Sequence, residues 1–200
     1  MQLEPLPVEV VTGENARADY FREVLAPRHK PVVLRGLDIG PCTSLWQSTD
    51  YVKANSEDKD VRIHVTSDPL RMDFKSKNFT YQTTSFHDLI DKAAAASDSG
   101  GGMSYYLRST SIQDSRSPVL FEQDFPRLSQ DFRLGDIGLF DRHRMFSSVF
   151  RASSAGVRVW THYDVMDNFY VQACCFPSYT YLCSMHCLKT YFTKQHFYFL

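Results

Sequence analysis

Hydrophobic and polar residues follow two rhythms along this chain. Val61-Arg-Ile-His-Val65 alternates every second residue, the period of a half-buried strand. Ser85 to Ala96 instead sets Phe86, Leu89, Ile90 and Ala93 on one side of a helical period, with Ser85 as the N-cap. Upstream, Ala16, Phe21, Val24 and Leu25 predict a short amphipathic helix over Asn15 to Leu25, stopped by Pro27. Pro31-Val-Val-Leu-Arg-Gly36 then reads as a buried strand closed by a turn at its glycine. Ser97 to Gly102 has no core-forming residue and reads as a loop, followed by a strand over Met103 to Ser109. Phe146 to Ser153 and Val157 to Asp164 form two further β runs, and Ser154-Ala155-Gly156 between them predicts a hairpin. The coarse result is a mainly β core with short helices in its first half.

The pattern changes after Asn168. Residues 169–200 hold only two of the chain's 22 Lys and Arg residues, Lys189 and Lys194, and none of its 23 Asp and Glu residues. They are rich in aromatic residues and lack the polar alternation of closing strands. Three segments are therefore expected: an extension and helix over 1–27, a domain over 28–168, and a divergent aromatic and Cys-rich segment over 169–200. Phe169 to Leu188 is uncharged, but Gln172, Pro177, Ser178, Thr180, Ser184 and His186 make it too polar for a membrane span, so no membrane association is expected.

A length of 200 residues and 43% hydrophobic content suffice for a core without disulfides, and exclude a disordered chain. The formal net charge of −1 provides no global attraction for nucleic acid, so any such binding must use a local patch. Two small clusters are candidates, one of Arg71, Lys75 and Lys77 and the other of Arg142, His143 and Arg144, although clusters of this size are also common on solvated surfaces. Met1 to Val11 carries two prolines and two glutamates where a secretory signal would be basic and then apolar. An intracellular, reducing location, cytoplasmic or nuclear, is the expectation. Cys174, Cys175, Cys183, His186 and Cys187 crowd together without the paired Cys-x-x-Cys knuckles of a zinc site.

The chemistry concentrates in Trp160-Thr-His-Tyr-Asp-Val-Met-Asp-Asn168. On a strand His162 and Asp164 would project from one face, so an imidazole nitrogen and a carboxylate oxygen could share a metal. One His and one Asp leave room for a third protein ligand, as in the two-His-one-carboxylate triad of non-haem Fe(II) oxygenases. A His-x-Asp alone is also compatible with a strand-end histidine bonded to its neighbour.

Together with Pro31-Val-Val-Leu-Arg-Gly36, Tyr105-Tyr-Leu-Arg-Ser109 and Phe146-Ser-Ser-Val-Phe-Arg151, that motif resembles the JmjC/cupin-like 2-oxoglutarate oxygenases. Within them it is most similar to the branch that hydroxylates a wybutosine precursor base of phenylalanine tRNA. The resemblance spans most of residues 28–168. It implies a cupin-like double-stranded β-helix, or jelly roll, incomplete at its C-terminus here. It further implies Fe(II) held by His162 and Asp164, 2-oxoglutarate hydrogen-bonded by Tyr106 and Asn168, O2 as the second cosubstrate, and tRNA as partner. The reaction implied is oxidative decarboxylation of 2-oxoglutarate coupled to oxygen insertion into a substrate C–H bond.

Two departures stand out. The family places a basic residue on a later strand to pair with the far carboxylate of 2-oxoglutarate, yet the first Lys or Arg after Asn168 is Lys189. It also places a third iron ligand, a histidine, near the end of the barrel, where His186 and His196 sit in no matching motif. Three functions therefore stay open: a tRNA hydroxylase, a JmjC-type protein hydroxylase or demethylase, and a truncated, non-catalytic chain that binds partners or forms a homodimer. Weak or absent turnover is expected of a chain that lacks these two groups.

Overall fold

The computed structural model describes residues 8–30, 32–96, 102–110, 117–133, 137–159, 168–175 and 196–199. It is organised around a mixed-length antiparallel sheet of six strands in the order β4-β3-β5-β6-β8-β7, with a separate two-stranded parallel pair, β1 and β2. The strands are β1 (Glu9–Val11), β2 (Val32–Leu34), β3 (Asp60–Thr66), β4 (Thr80–Ser85), β5 (Ser104–Arg108), β6 (Phe150–Ser153), β7 (Val171–Cys175) and β8 (His196–Phe199). A mainly β architecture with short helices in its first half is what the hydrophobic rhythms predict, and the family resemblance adds the expectation that it is cupin-like.

Alternation decides which side of the sheet each residue meets. Val61, Ile63 and Val65 of β3, Tyr105 and Leu107 of β5, and Phe150 and Ala152 of β6 all join one hydrophobic core. Helix α4 (Phe86–Ala95) lies on that side and buries the four residues its period singled out, Phe86, Leu89, Ile90 and Ala93. Its start is fixed by the Ser85 side chain, which accepts the Asp88 N–H at 3.2 Å. Trp46, at the end of α2 (Cys42–Leu45), meets Phe121 and Phe150 edge-on with centroids 6.0 Å away in each case. Phe150 stacks on Phe121 at 5.6 Å and tilts against Phe125 at 4.9 Å, both from the short helix α5 (Phe121–Asp124) and the residue after it. Each such ring pair contributes about 0.5–1.5 kcal/mol beyond area burial.

A polar anchor sits within this apolar mass. The buried Asp131 carboxylate accepts from Trp46 Nε1 at 2.9 Å and from the Tyr51 hydroxyl of α3 (Thr49–Ala54) at 3.1 Å. Gly40 is needed beside it: its φ is +97°, and a Cβ there would stand 2.4 Å from the Asp131 carbonyl oxygen.

Several elements differ from the sequence expectation. The first helix does not stop at Pro27. It starts as α1 (Ala18–Tyr20), widens to a π turn (Phe21–Leu25) and tightens to a 3-10 turn (Ala26–Arg28). Pro27 lies at the start of that last turn, where its missing N–H costs nothing. β2 is only half buried, since its parallel partner β1 covers it from one side. The expected hairpin through Ser154-Ala155-Gly156 does not form among the described residues. Gly156, at φ +75°, turns the chain away, and residues 157–159 run beside the Pro69 turn, with Arg158 N–H bonded to the Pro69 carbonyl at 2.7 Å. β6 instead pairs with β5 and β8.

The fold also continues past Asn168. The Phe169 ring packs 5.4 Å from Phe21 and 4.9 Å from Phe140, Ala173 is buried in the main core, and β7 and β8 complete one end of the sheet. Phe169, Val171 and Ala173 thus form a core-facing lead-in and strand. The expected Ser97–Gly102 loop lies mostly outside the described residues.

Candidate active site on the polar face of the sheet

The same alternation that fills the core puts Arg62, His64 and Thr66 of β3, Ser104, Tyr106 and Arg108 of β5, and Arg151 and Ser153 of β6 on the opposite face. Register brings them into rows. Tyr81 pairs with His64, His64 with Tyr106, and Tyr106 with Ser153, while Arg108 pairs with Arg151. A second, smaller cluster covers this face, made of Met72, Phe79, Tyr106 and Val157 with Val159 packed against it.

Tyr106 is the centre of the arrangement. Only 3% of it is exposed, and its phenolic oxygen accepts a hydrogen bond from Arg151 Nη1. With one oxygen lone pair taken by the guanidinium, the phenolic hydrogen is available to a third group. Arg151 is itself 9% exposed, and its Nε has no hydrogen-bond partner among the described residues. A buried guanidinium with an unsatisfied N–H beside a phenol is a donor set for a carboxylate.

His64 sets the charge of the row. Its ring lies among Tyr81 at 4.7 Å, Phe79 at 5.0 Å and Tyr106 at 5.3 Å. Nδ1 is 3.3 Å from the Tyr106 carbonyl oxygen, which can only accept, so this nitrogen carries the proton of that contact. Burial pulls the His64 pKa below its usual value, Arg62, Arg108 and Arg151 pull in the same direction, and the bond to Tyr106 opposes them. The imidazole is thus neutral at physiological pH, and the face owes its positive field to the three arginines. Arg62 also stacks over the Tyr81 ring, 4.1 Å from its centroid.

Of the residues expected from sequence, Tyr106 lies in this row on the polar face. Asn168 is half buried, three residues ahead of the start of β7, and β6 and β8 stand between that strand and β5. His162 and Asp164 lie outside the described residues, as do the remainder of the Trp160 motif and His186. His196 begins β8, at the register position opposite Ser153, which is itself opposite Tyr106. Among the described residues no group of three His, Cys, Asp or Glu side chains could hold a metal, and no helix is long and apolar enough to cross a membrane.

Sequence reasoning looked for a counter-charge only after Asn168 and so passed over Arg151, which the structure places against Tyr106. The signal was present in Phe150-Arg-Ala-Ser153, whose alternation puts Arg151 opposite Phe150 and Ala152. It also passed over Arg62 and His64 in Val61-Arg-Ile-His-Val65, reading the alternation for structure alone.

Residues 17–174 match the model of the Cupin-like domain. The chain belongs to that family. The match begins inside the segment expected to be an N-terminal extension and runs beyond Asn168, in keeping with the packing of Phe169 and Ala173. Among curated proteins, the chain is 40% identical over 175 residues to tRNA wybutosine-synthesizing protein 5 of Gallus gallus, covering 86% of this chain and 54% of that protein. It is 42% identical over 176 residues to the Mus musculus protein of the same name, with the same coverage. The tRNA wybutosine-synthesizing protein 4 of Gibberella zeae is 40% identical over 160 residues, covering 79% of this chain and 15% of that much longer protein. The chain spans about half the length of the first of these relatives.

Proposed function

We propose that this Cupin-like chain carries the cosubstrate cleft of an Fe(II)- and 2-oxoglutarate-dependent hydroxylase acting on the wybutosine precursor base of phenylalanine tRNA. The observation that carries the reading is the buried Tyr106–Arg151 pair, whose phenolic hydrogen and unpartnered Nε suit a carboxylate. Names of relatives at about 40% identity supply the nucleic-acid half: they are tRNA wybutosine-synthesizing proteins.

In this reading Arg151 provides the counter-charge that was expected from a later strand. It binds the far carboxylate of 2-oxoglutarate, and Tyr106 fixes that carboxylate's orientation by a second hydrogen bond. Met72, Phe79 and Val157 exclude water around the pair, which strengthens both contacts. Neutral His64 keeps an uncharged, aromatic wall on the cleft, so among the described residues of this face the arginines are the charged donors. Asn168 is assigned to the same cosubstrate, and His162 and Asp164 to Fe(II). The iron, when bound, supplies the O2 chemistry that hydroxylates a C–H bond.

The test is mass spectrometry of nucleosides from tRNA incubated with the protein, Fe(II), 2-oxoglutarate and O2. A base heavier by one oxygen, absent when any of the three is withheld, supports the reading. Hydroxylation of a protein with tRNA unchanged would replace it by the protein-hydroxylase function, and 2-oxoglutarate binding unaltered by Arg151→Met would remove its main support.

A further inference from the structure

Between β3 and β4 the chain makes a loop, residues 67–79, that is far more ordered by its own contacts than a connection of that length requires. Two of its residues, one mid-loop and one at its end, are sunk into the cluster that buries Tyr106: Met72 is 3% exposed and Phe79 8%. Asn78 accepts the Asp73 N–H at 2.8 Å and donates to the Arg71 carbonyl at 2.7 Å, closing the loop across its base. The Asp73 carboxylate takes the N–H groups of Lys75 and Ser76 at 3.0 and 3.1 Å. Thr66 donates to the Asn78 carbonyl and accepts the Asp68 N–H, each at 3.0 Å.

This frame holds out a tip of unusual composition. Phe74 is 51% exposed and is followed by exposed Lys75, Ser76 and Lys77, with Arg71 exposed at the other shoulder. Lys77 has a φ of +47°, a left-handed conformation that costs a lysine about 1 kcal/mol. Of the loop's two acids, Asp73 spends both carboxylate oxygens on backbone N–H groups. Beside the loop, on β4, Tyr81 is 49% exposed under the Arg62 guanidinium. Exposed aromatic rings interleaved with cations are the elements that grip single-stranded nucleic acid: bases stack on the rings and phosphates meet the charges.

We infer that the 67–79 loop is the RNA-gripping element of this protein, stacking an unpaired base on Phe74 and holding the flanking phosphates with Arg71, Lys75 and Lys77. The inference rests on the proposed tRNA substrate and adds where that substrate is held. Because the loop is rooted on Met72 and Phe79, which also pack on Tyr106, an RNA loop seated there is fixed relative to the cleft. The other basic cluster is less suited, since Arg142 is engaged by Glu122 at 3.0 Å and the Asp141 carboxylate caps the His143 N–H.

Fluorescence anisotropy with a labelled stem-loop RNA, without iron or 2-oxoglutarate, tests this independently of hydroxylation. Phe74→Ala should weaken binding roughly tenfold, and Phe74→Trp should restore or exceed wild-type affinity. Lys75→Gln and Lys77→Gln should each lower the slope of log affinity against log salt by about 0.7–0.9, whereas Arg144→Gln should leave affinity within about twofold. Fully paired duplex should bind more weakly and be indifferent to Phe74. No RNA binding by the wild type, or Phe74→Ala binding as well as wild type, overturns the inference. A hydroxylated tRNA base formed at the wild-type rate by loop variants that bind normally would sink the loop while sparing the proposed reaction. Loop-dependent RNA binding with no hydroxylated base would do the reverse.

Discussion

The two faces of the six-stranded sheet are built from the same strands and come to opposite ends. On one face Ile63, Leu107 and Phe150 interlock with α4, Trp46 and Phe121 into a core held by ring packing. On the other, one residue away along each strand, stand half-buried His64 and buried Tyr106 and Arg151, with polar atoms turned toward each other. A sheet covered on both sides is ordinary for a β-helix. Covering one side with a guanidinium and a phenol is costly in desolvation, and stability alone gives no reason for it. The contrast separates residues that make the fold from residues that the fold is made to hold.

Removing Phe150 should have the largest effect. Phe150→Ala opens a cavity among Trp46, Phe121 and Phe125 and should lower unfolding free energy by about 3–5 kcal/mol in urea titration. A loss under about 1 kcal/mol would mean that the core face is not the stabilising one.

Arg151→Met should divide the faces in the other direction. It keeps the side-chain volume and removes a buried charge, so stability should hold or rise, while 2-oxoglutarate affinity, read by calorimetry, should fall by roughly 1.5–3 kcal/mol. Destabilisation with unchanged 2-oxoglutarate binding would make Arg151 an internal brace for Tyr106.

His64 gives a smaller effect, tied to pH. Its pKa is held below the usual value of 6.5 chiefly by burial. The unfolded chain therefore binds the proton first, so stability is full above that value and is lost as pH falls from it toward the lower folded-state value. The denaturation midpoint should drop between about pH 7.5 and pH 5, and His64→Gln should flatten that part of the profile. An identical slope in the variant would assign the pH dependence elsewhere.

The smallest effect is a reaction that does not occur. Burial pushes the Cys42 thiol up to about 12, with the nearby Asp131 carboxylate adding to it. Iodoacetamide at about pH 8 should leave Cys42 unlabelled in the native chain and label it after denaturation, as peptide mapping would show.

How far the sequence discloses this contrast depends on the strand. In β3 the alternation of Val61, Ile63 and Val65 with Arg62 and His64 displays both faces, and in α4 the period and the Ser85 cap specify the element nearly to the residue. β4, Thr80-Tyr-Gln-Thr-Thr-Ser85, carries too few apolar residues to register as a strand, because it is a mostly exposed edge strand held by its pairing with β3. β1 and its partner β2 meet across more than twenty residues, a pairing that no local pattern encodes. Tyr106 was legible through its motif. Its bond to Arg151 was not, since it depends on the register of β5 against β6.

The insertion of β8 between β6 and β7 bears on the order in which the protein acquires its shape. β3, β4 and β5 can close on one another through nearby turns, but among the described residues β6 must wait for residues 196–199 before its second side is paired, and β7 joins the sheet through β8. The chain between Ser153 and His196, β7 included, must therefore be drawn in late, against chain entropy that grows with its length. During that interval the guanidinium of Arg151 waits on a strand with one free flank. The half of the sheet that binds the cosubstrate in our reading would thus be the slower to mature, and a refolding experiment should regain core fluorescence before it regains 2-oxoglutarate binding.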